Sequence, residues 1–166
     1  MRDKIKILII TSIICLFYCG VAFGYTGGGT KGNPYIVSNV DELTTILDEK
    51  GSNDWVYISL KSNIEIKKTI TVRTGYFGIN ATKSGKKIKR STSLKDSIND
   101  QSNPGYCFRI LNPSYVIFGL GGNMLTLDGS WKDLGNANMS GWINVEPGGR
   151  LYIERFARLI NTFNNE

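Results

Sequence analysis

The sequence contains no histidine, which excludes Ser-His-Asp and Cys-His nucleophilic schemes and every histidine-ligated metal site. Cysteine is scarce. Of three residues, Cys15 and Cys19 lie within the first two dozen positions, and Cys107 stands alone in the rest. A single thiol closes no intrachain bridge, so no disulfide framework supports residues 25–166. Charge is not extreme either, with 20 Lys+Arg against 14 Asp+Glu and a net +6, a moderate excess rather than a polycation. The basic residues gather at Lys83, Lys86, Lys87, Lys89, Arg90 and Lys95, yet no aromatic residue occurs in positions 79–105. Bases would have nothing there to stack on, which argues against nucleic acid as a partner. Glycine is abundant, 19 of 166 residues, about 11% where about 7% is usual. A hydrophobic share of 41% with 20% charged residues belongs to one globular domain, not a disordered chain.

The N-terminus has the three parts of a secretory signal. Arg2, Lys4 and Lys6 precede an apolar run over residues 7–17, and Ala22 and Gly24 supply small residues at the −3 and −1 positions. The pattern predicts cleavage after Gly24, with Tyr25 as the first residue of a secreted or cell-surface chain that has no membrane anchor. Cys15 follows Ile14 and Cys19 follows Tyr18, neither being the small residue that a lipoprotein signal places there.

Residues 25–35 form a glycine-rich lead-in. Ser38 or Asn39 then offers a helix N-cap, followed by Asp41 and Glu42, where the helix dipole favours acid. Val40, Leu43, Ile46 and Leu47 fall on one apolar stripe, and Gly51 supplies the stop. This predicts an amphipathic helix over about 39–50. Beyond it the period changes to two. Strand patterns occupy residues 55–60, 64–66 and 70–72, then 107–111, 115–118, 124–127, 142–145 and 151–153. Residues 82–103, serine-rich and basic with few large apolar groups, read as a long surface loop. Leu125 to Leu151 and Ile117 to Ile143 both span 26 residues, a spacing within the range of stacked repeats.

The segments GGTKGNPYIVSNVDELTTIL, WVYISLKSNIEI, TITV, GLGGNMLTLDG and INVEPGGRLYIE resemble the N-terminal part of bacterial secreted proteins with a right-handed parallel β-helix. These are pectate-lyase-like solenoids found in cell-surface and adhesin-like proteins. The resemblance covers residues 28–153 and implies an all-β solenoid over 25–153, with the helix of 39–50 as its N-terminal cap. It does not specify an activity, because such coils serve lyases, hydrolases, adhesins and inert surface proteins alike. Residues 154–166 depart from the coil pattern. Phe156, Leu159, Ile160 and Phe163 stand at helical spacing, so the tail reads either as a helix closing the open end or as the end of a truncated product.

No catalytic constellation is assigned. The resemblance implies one enzymatic alternative, a polysaccharide lyase using carboxylate-bound Ca²⁺ and a Lys or Arg base, or a glycan-hydrolysing relative. The acidic and amide cluster Asp128, Asp133, Asn136 and Asn138 is the weak calcium candidate, matching no calcium-loop spacing. Asp128-Gly129 reads better as a turn. Carboxylates on the helix read as a solvated face, and residues 146–149 as a turn. Among the tryptophans, Trp55 and Trp142 sit inside strand patterns and read as core. Trp131, in a loop, is available to stack on a sugar ring, with Lys86, Lys87 and Arg90 as cations for an anionic polymer. The sequence therefore predicts a non-catalytic, cofactor-free surface protein binding carbohydrate or cell-wall polymer.

Overall fold

The computed structural model describes residues 24–94, 106–130 and 142–161. They form an all-β arrangement of three parallel sheets with one short helix. The strands are β1 (Tyr35–Val37), β2 (Trp55–Leu60), β3 (Ile64–Ile66), β4 (Ile70–Val72), β5 (Tyr76–Ala81) and β6 (Lys86–Arg90), then β7 (Phe108–Ile110), β8 (Tyr115–Phe118), β9 (Leu125–Asp128), β10 (Ile143–Val145), β11 (Arg150–Ile153) and β12 (Ala157–Ile160). The first sheet has the order β1-β2-β5-β8-β11, the second β12-β9-β6-β3, and the third β10-β7-β4. From β2 onward the chain visits first, second and third sheet in rotation, and every named strand pairing is parallel.

The helix α1 (Val40–Glu49) forms where the pattern places it. Asn39 is the N-cap. Its side-chain oxygen accepts from the Glu42 amide at 2.9 Å, and the Glu42 carboxylate accepts from the Ser38 amide at 2.7 Å. One orphan donor of the first turn and the amide just before the cap are thus satisfied, in a variant of the reciprocal capping box. Leu43, Ile46 and Leu47 are buried, and α1 touches β1, β3 and β4.

The core lies between the sheets and is filled by alternate residues of each strand, among them Ile58, Ile64, Val72, Phe77, Ile88, Phe108, Phe118 and Leu127. Trp142 is buried and packs on Phe108 and Phe118, with ring centroids at 5.6 and 6.2 Å. Cys107 is fully enclosed, and burial pushes its thiol up to about 12 against the lowering influence of Arg90. A thiol held above its unfolded value of 9.0 contributes stability that is complete below pH 9 and lost as pH rises towards 12. Cys107→Ala should therefore flatten the fall in denaturation midpoint between those limits, and the native thiol should resist thiol reagents until the chain unfolds.

Several expectations are corrected. The segment 82–103 is not wholly a loop, because Lys86–Arg90 is β6, paired on both sides by β3 and β9. Ile88 and Arg90 turn inward while Lys87 and Lys89 stay outside, so a charged strand still fills the core. The tail is not a helix where it is described. Residues Ala157–Ile160 form β12, because the free ladder of β9 offers backbone partners that the local helical spacing cannot outweigh. The 26-residue echo is not the structural repeat either. Leu151 lies beside Val116 in the first sheet and Leu125 beside Ala157 in the second. In sequence, β6 and β7 stand much further apart than β3 and β4, as do β9 and β10, so the strand register follows no constant spacing. The expected signal segment falls outside the described residues, apart from Gly24. Among the described residues no helix is long and apolar enough to cross a membrane.

Candidate functional site

Parallel pairing brings together residues far apart in sequence. Trp55 lies beside Tyr76, Tyr76 beside Tyr115, and Tyr115 beside Arg150. Each is the first residue of its strand, and the next residues, Val56, Phe77, Val116 and Leu151, turn into the core. The four first residues therefore form one row on the outer face of the first sheet. Trp55 reaches Tyr76 at 5.7 Å and Tyr115 at 5.0 Å between ring centroids. Tyr76 and Tyr115 stand edge to face at 6.1 Å, and Tyr115 meets Tyr152 at 5.2 Å. Such tilted arrangements let the positive ring edges meet neighbouring π faces.

The row forms one wall of a groove of about 330 Å³, lined by Trp55, Tyr76, Tyr115 and Arg150 together with Asn112, Pro113 and Gly148. The latter three come from the short turns 111–114 and 146–149, which lead from the third sheet into the first. Gly148 has φ +88°, and a Cβ there would come within 2.6 Å of Asn112 Cγ, so only glycine lets the two turns stack. The turns are braced from beneath. Ser114 Oγ donates to the Val72 carbonyl at 3.0 Å. Glu146 accepts from Arg109 Nε at 3.1 Å and from Asn144 Nδ2 at 2.9 Å.

The groove is apolar on its ring faces and polar at its end. The Tyr115 phenol is held above its ordinary range, first by partial removal from water, then by its hydrogen bond with Tyr152 and the charge of Glu154, while Arg150 acts against them. At neutral pH the hydroxyl therefore keeps its proton and can donate. Arg150 adds a planar fork of donors suited to carboxylate or hydroxyl oxygens, and the Asn112 amide both donates and accepts. Among the described residues no three His, Cys, Asp or Glu side chains stand close enough to hold a metal ion.

Of the residues expected to bind, Trp131 and Asp133 lie outside the described residues. Lys86 and Lys87 are half-buried on the second sheet, away from the groove. Arg90 is only 2% exposed, and its guanidinium donates to the Leu94 carbonyl at 3.2 Å, which withdraws it from any surface ligand. Asp128 is 7% exposed and accepts from the Ser130 amide and from Asn161 Nδ2, both at 3.0 Å, the role of a turn-former.

Trp55 is no core residue. It is half-buried on the outer face, and sequence reasoning missed Tyr76, Tyr115, Arg150 and Asn112 as its neighbours. A signal for them existed. WVYI, YFGI, YVIF and RLYI share apolar second and fourth positions, and an aromatic residue opens three of the four. No family model, curated protein or solved structure matches the chain.

Proposed function

We propose that this chain is an exported right-handed parallel β-helix, pectate-lyase-like in architecture, that binds an extended polysaccharide without cleaving it. The solenoid reading is supported by the rotation of the chain through three parallel sheets, each gaining a strand at every third element. The binding reading is carried by one observation, the in-register row Trp55, Tyr76 and Tyr115 on three adjacent strands. Adjacent strands lie about 4.8 Å apart, close to the length of one pyranose ring. A glycan running across the strands would therefore set successive sugars over successive rings. Apolar C–H faces of the sugars suit the aromatic side chains, and hydroxyl or carboxylate oxygens suit Arg150 and Asn112. Cell-wall polymer or polysaccharide is the partner this favours, and the engagement of Asp128 within its turn weighs against a calcium-dependent lyase.

Affinity electrophoresis in gels containing neutral or acidic polysaccharide tests the reading. Trp55→Ala should weaken retardation about tenfold or more, the loss of one aromatic anchor, while the double variant K86A/K87A should leave it nearly unchanged. Equal retardation of Trp55→Ala and the parent would overturn the site. Turnover of polygalacturonate with calcium, followed by ultraviolet absorbance of unsaturated product, would replace binding with lysis.

A further inference from the structure

Residues 25 and 26 are tied down ahead of the first strand. Thr26 forms an antiparallel bridge with Ile36, its carbonyl accepting from the Ile36 amide at 2.7 Å. The Tyr25 ring stands edge to face on Tyr35 at 5.4 Å between centroids, and both rings pack against the core. Ring and bridge together fix where the backbone nitrogen of Tyr25 sits.

Near it lies a buried carboxylate with neutral partners. Glu42 is only 8% exposed. Its Oε2 accepts from the Ser38 amide at 2.7 Å and its Oε1 from Asn39 Nδ2 at 2.9 Å. Among the described residues no Lys or Arg pairs with it, although buried charges are ordinarily paired. Each oxygen also keeps a further lone pair. Gly24 comes up against this group. A Cβ built on it would stand 2.9 Å from Glu42 Oε1, and the only described atoms within 4 Å of that point, chain neighbours aside, belong to the Glu42 carboxylate. The Tyr25 nitrogen is two bonds from the Gly24 Cα, which puts it within about 7 Å of Oε1.

We infer that Glu42 is the docking site of the α-ammonium group that cleavage after Gly24 creates at Tyr25. This docking rests on the export reading above and adds a structural consequence to the processing step. In the uncleaved chain the Tyr25 nitrogen is a neutral amide with one proton to donate. Hydrolysis of the Gly24–Tyr25 bond adds water across it, leaving a carboxylate on Gly24 and an amine on Tyr25 that is mostly protonated at neutral pH. The ammonium supplies the charge that the Ser38 and Asn39 donors lack, and small adjustments at Tyr25 bring it into hydrogen-bond reach of Oε1. Glu42 then ties the new N-terminus to the residues that cap α1. Maturation, on this account, completes the entry end of the fold.

Mass spectrometry of the chain recovered from the medium of its producing host should give Tyr25 as the first residue. Denaturant titration then compares three forms: that chain, its N-terminally acetylated form, and a chain that retains residues 20–24. Each is prepared with Glu42 and with Glu42→Gln. Glutamine can still accept from the Ser38 amide, so the cap survives and only the charge is lost. The extended form keeps a free amine, displaced from the site, which separates docking from net charge. With Glu42, the free amine at Tyr25 should raise the folding equilibrium constant on the order of tenfold over the other two forms, the size of a charge-assisted hydrogen bond. With Glu42→Gln the three forms should agree within about twofold, the coupling having been removed. A first residue other than Tyr25 would overturn both the docking and the cleavage it rests on. A chain that begins at Tyr25, but whose free amine gains nothing or gains equally with glutamine, would overturn the docking alone.

Discussion

Replacing Leu43 by aspartate is expected to unfold a large part of the population at neutral pH. Leu43 is fully buried on the inner face of α1, within the same cluster as Val37, Ile64 and Val72. Loss of a buried leucine side chain costs about 2–5 kcal/mol, and an unpaired carboxyl group in its place adds roughly 1–3 kcal/mol more. A domain of this size is stable by only about 5–15 kcal/mol. The burden has a signature in pH. A carboxyl buried among apolar groups ionises less readily in the folded than in the unfolded chain. The deficit of Leu43→Asp relative to Leu43→Ala should therefore shrink in acid and grow as pH rises through the carboxylate range. Denaturant titrations of both variants in acid and at neutral pH measure this. Equal deficits at both would mean that α1 does not bury position 43. Lifting α1 would also bare the edges of β3 and β4, so the variant should aggregate more readily than Leu43→Ala.

The second large effect is expected at Phe108. It is fully buried in β7, in register with Ile70 and Ile143, and its ring meets Phe118 at 5.4 Å and Trp142 at 5.6 Å. Phe108→Ala opens a cavity between rigid parallel strands that cannot collapse without breaking their ladders. A loss of about 3–5 kcal/mol follows, whereas Phe108→Leu, which keeps most of the volume, should cost well under half of that. Near-ultraviolet circular dichroism gives an independent reading, because Trp142 loses a neighbouring ring. If Phe108→Ala left both the denaturation midpoint and that signal unchanged, the three-ring cluster would not be a structural centre.

Local signals suffice for the helix and for the first strands after it. The α1 stripe and its acidic first turn are contained in a dozen residues, and both appear as expected, with Asn39 rather than Ser38 as the cap. Strands β2, β3 and β4 follow their alternation to the residue. The misses share one cause. β6 carries four basic residues around Ile88, and β12 has helical spacing, so neither favours a strand by itself. Each is a strand because a neighbour, β3 or β9, supplies hydrogen-bond partners to its backbone.

Trp55 and Trp142 show the same limit at the candidate site. Both sit at the head of an apolar, β-branched run, and nothing within a few residues separates them, yet one is on the outer face and the other is 8% exposed in the core. The sequence by itself determined the helix α1, the inward set of Ile, Val, Leu and Phe, and the lack of any histidine, because these depend on residue type and on neighbours along the chain. Only the tertiary structure decided that Trp55, Tyr76, Tyr115 and Arg150 form one row, since their separations of 21, 39 and 35 residues have no common period. Their alignment comes from backbone ladders between strands, and a ladder's register depends on loop lengths elsewhere in the chain.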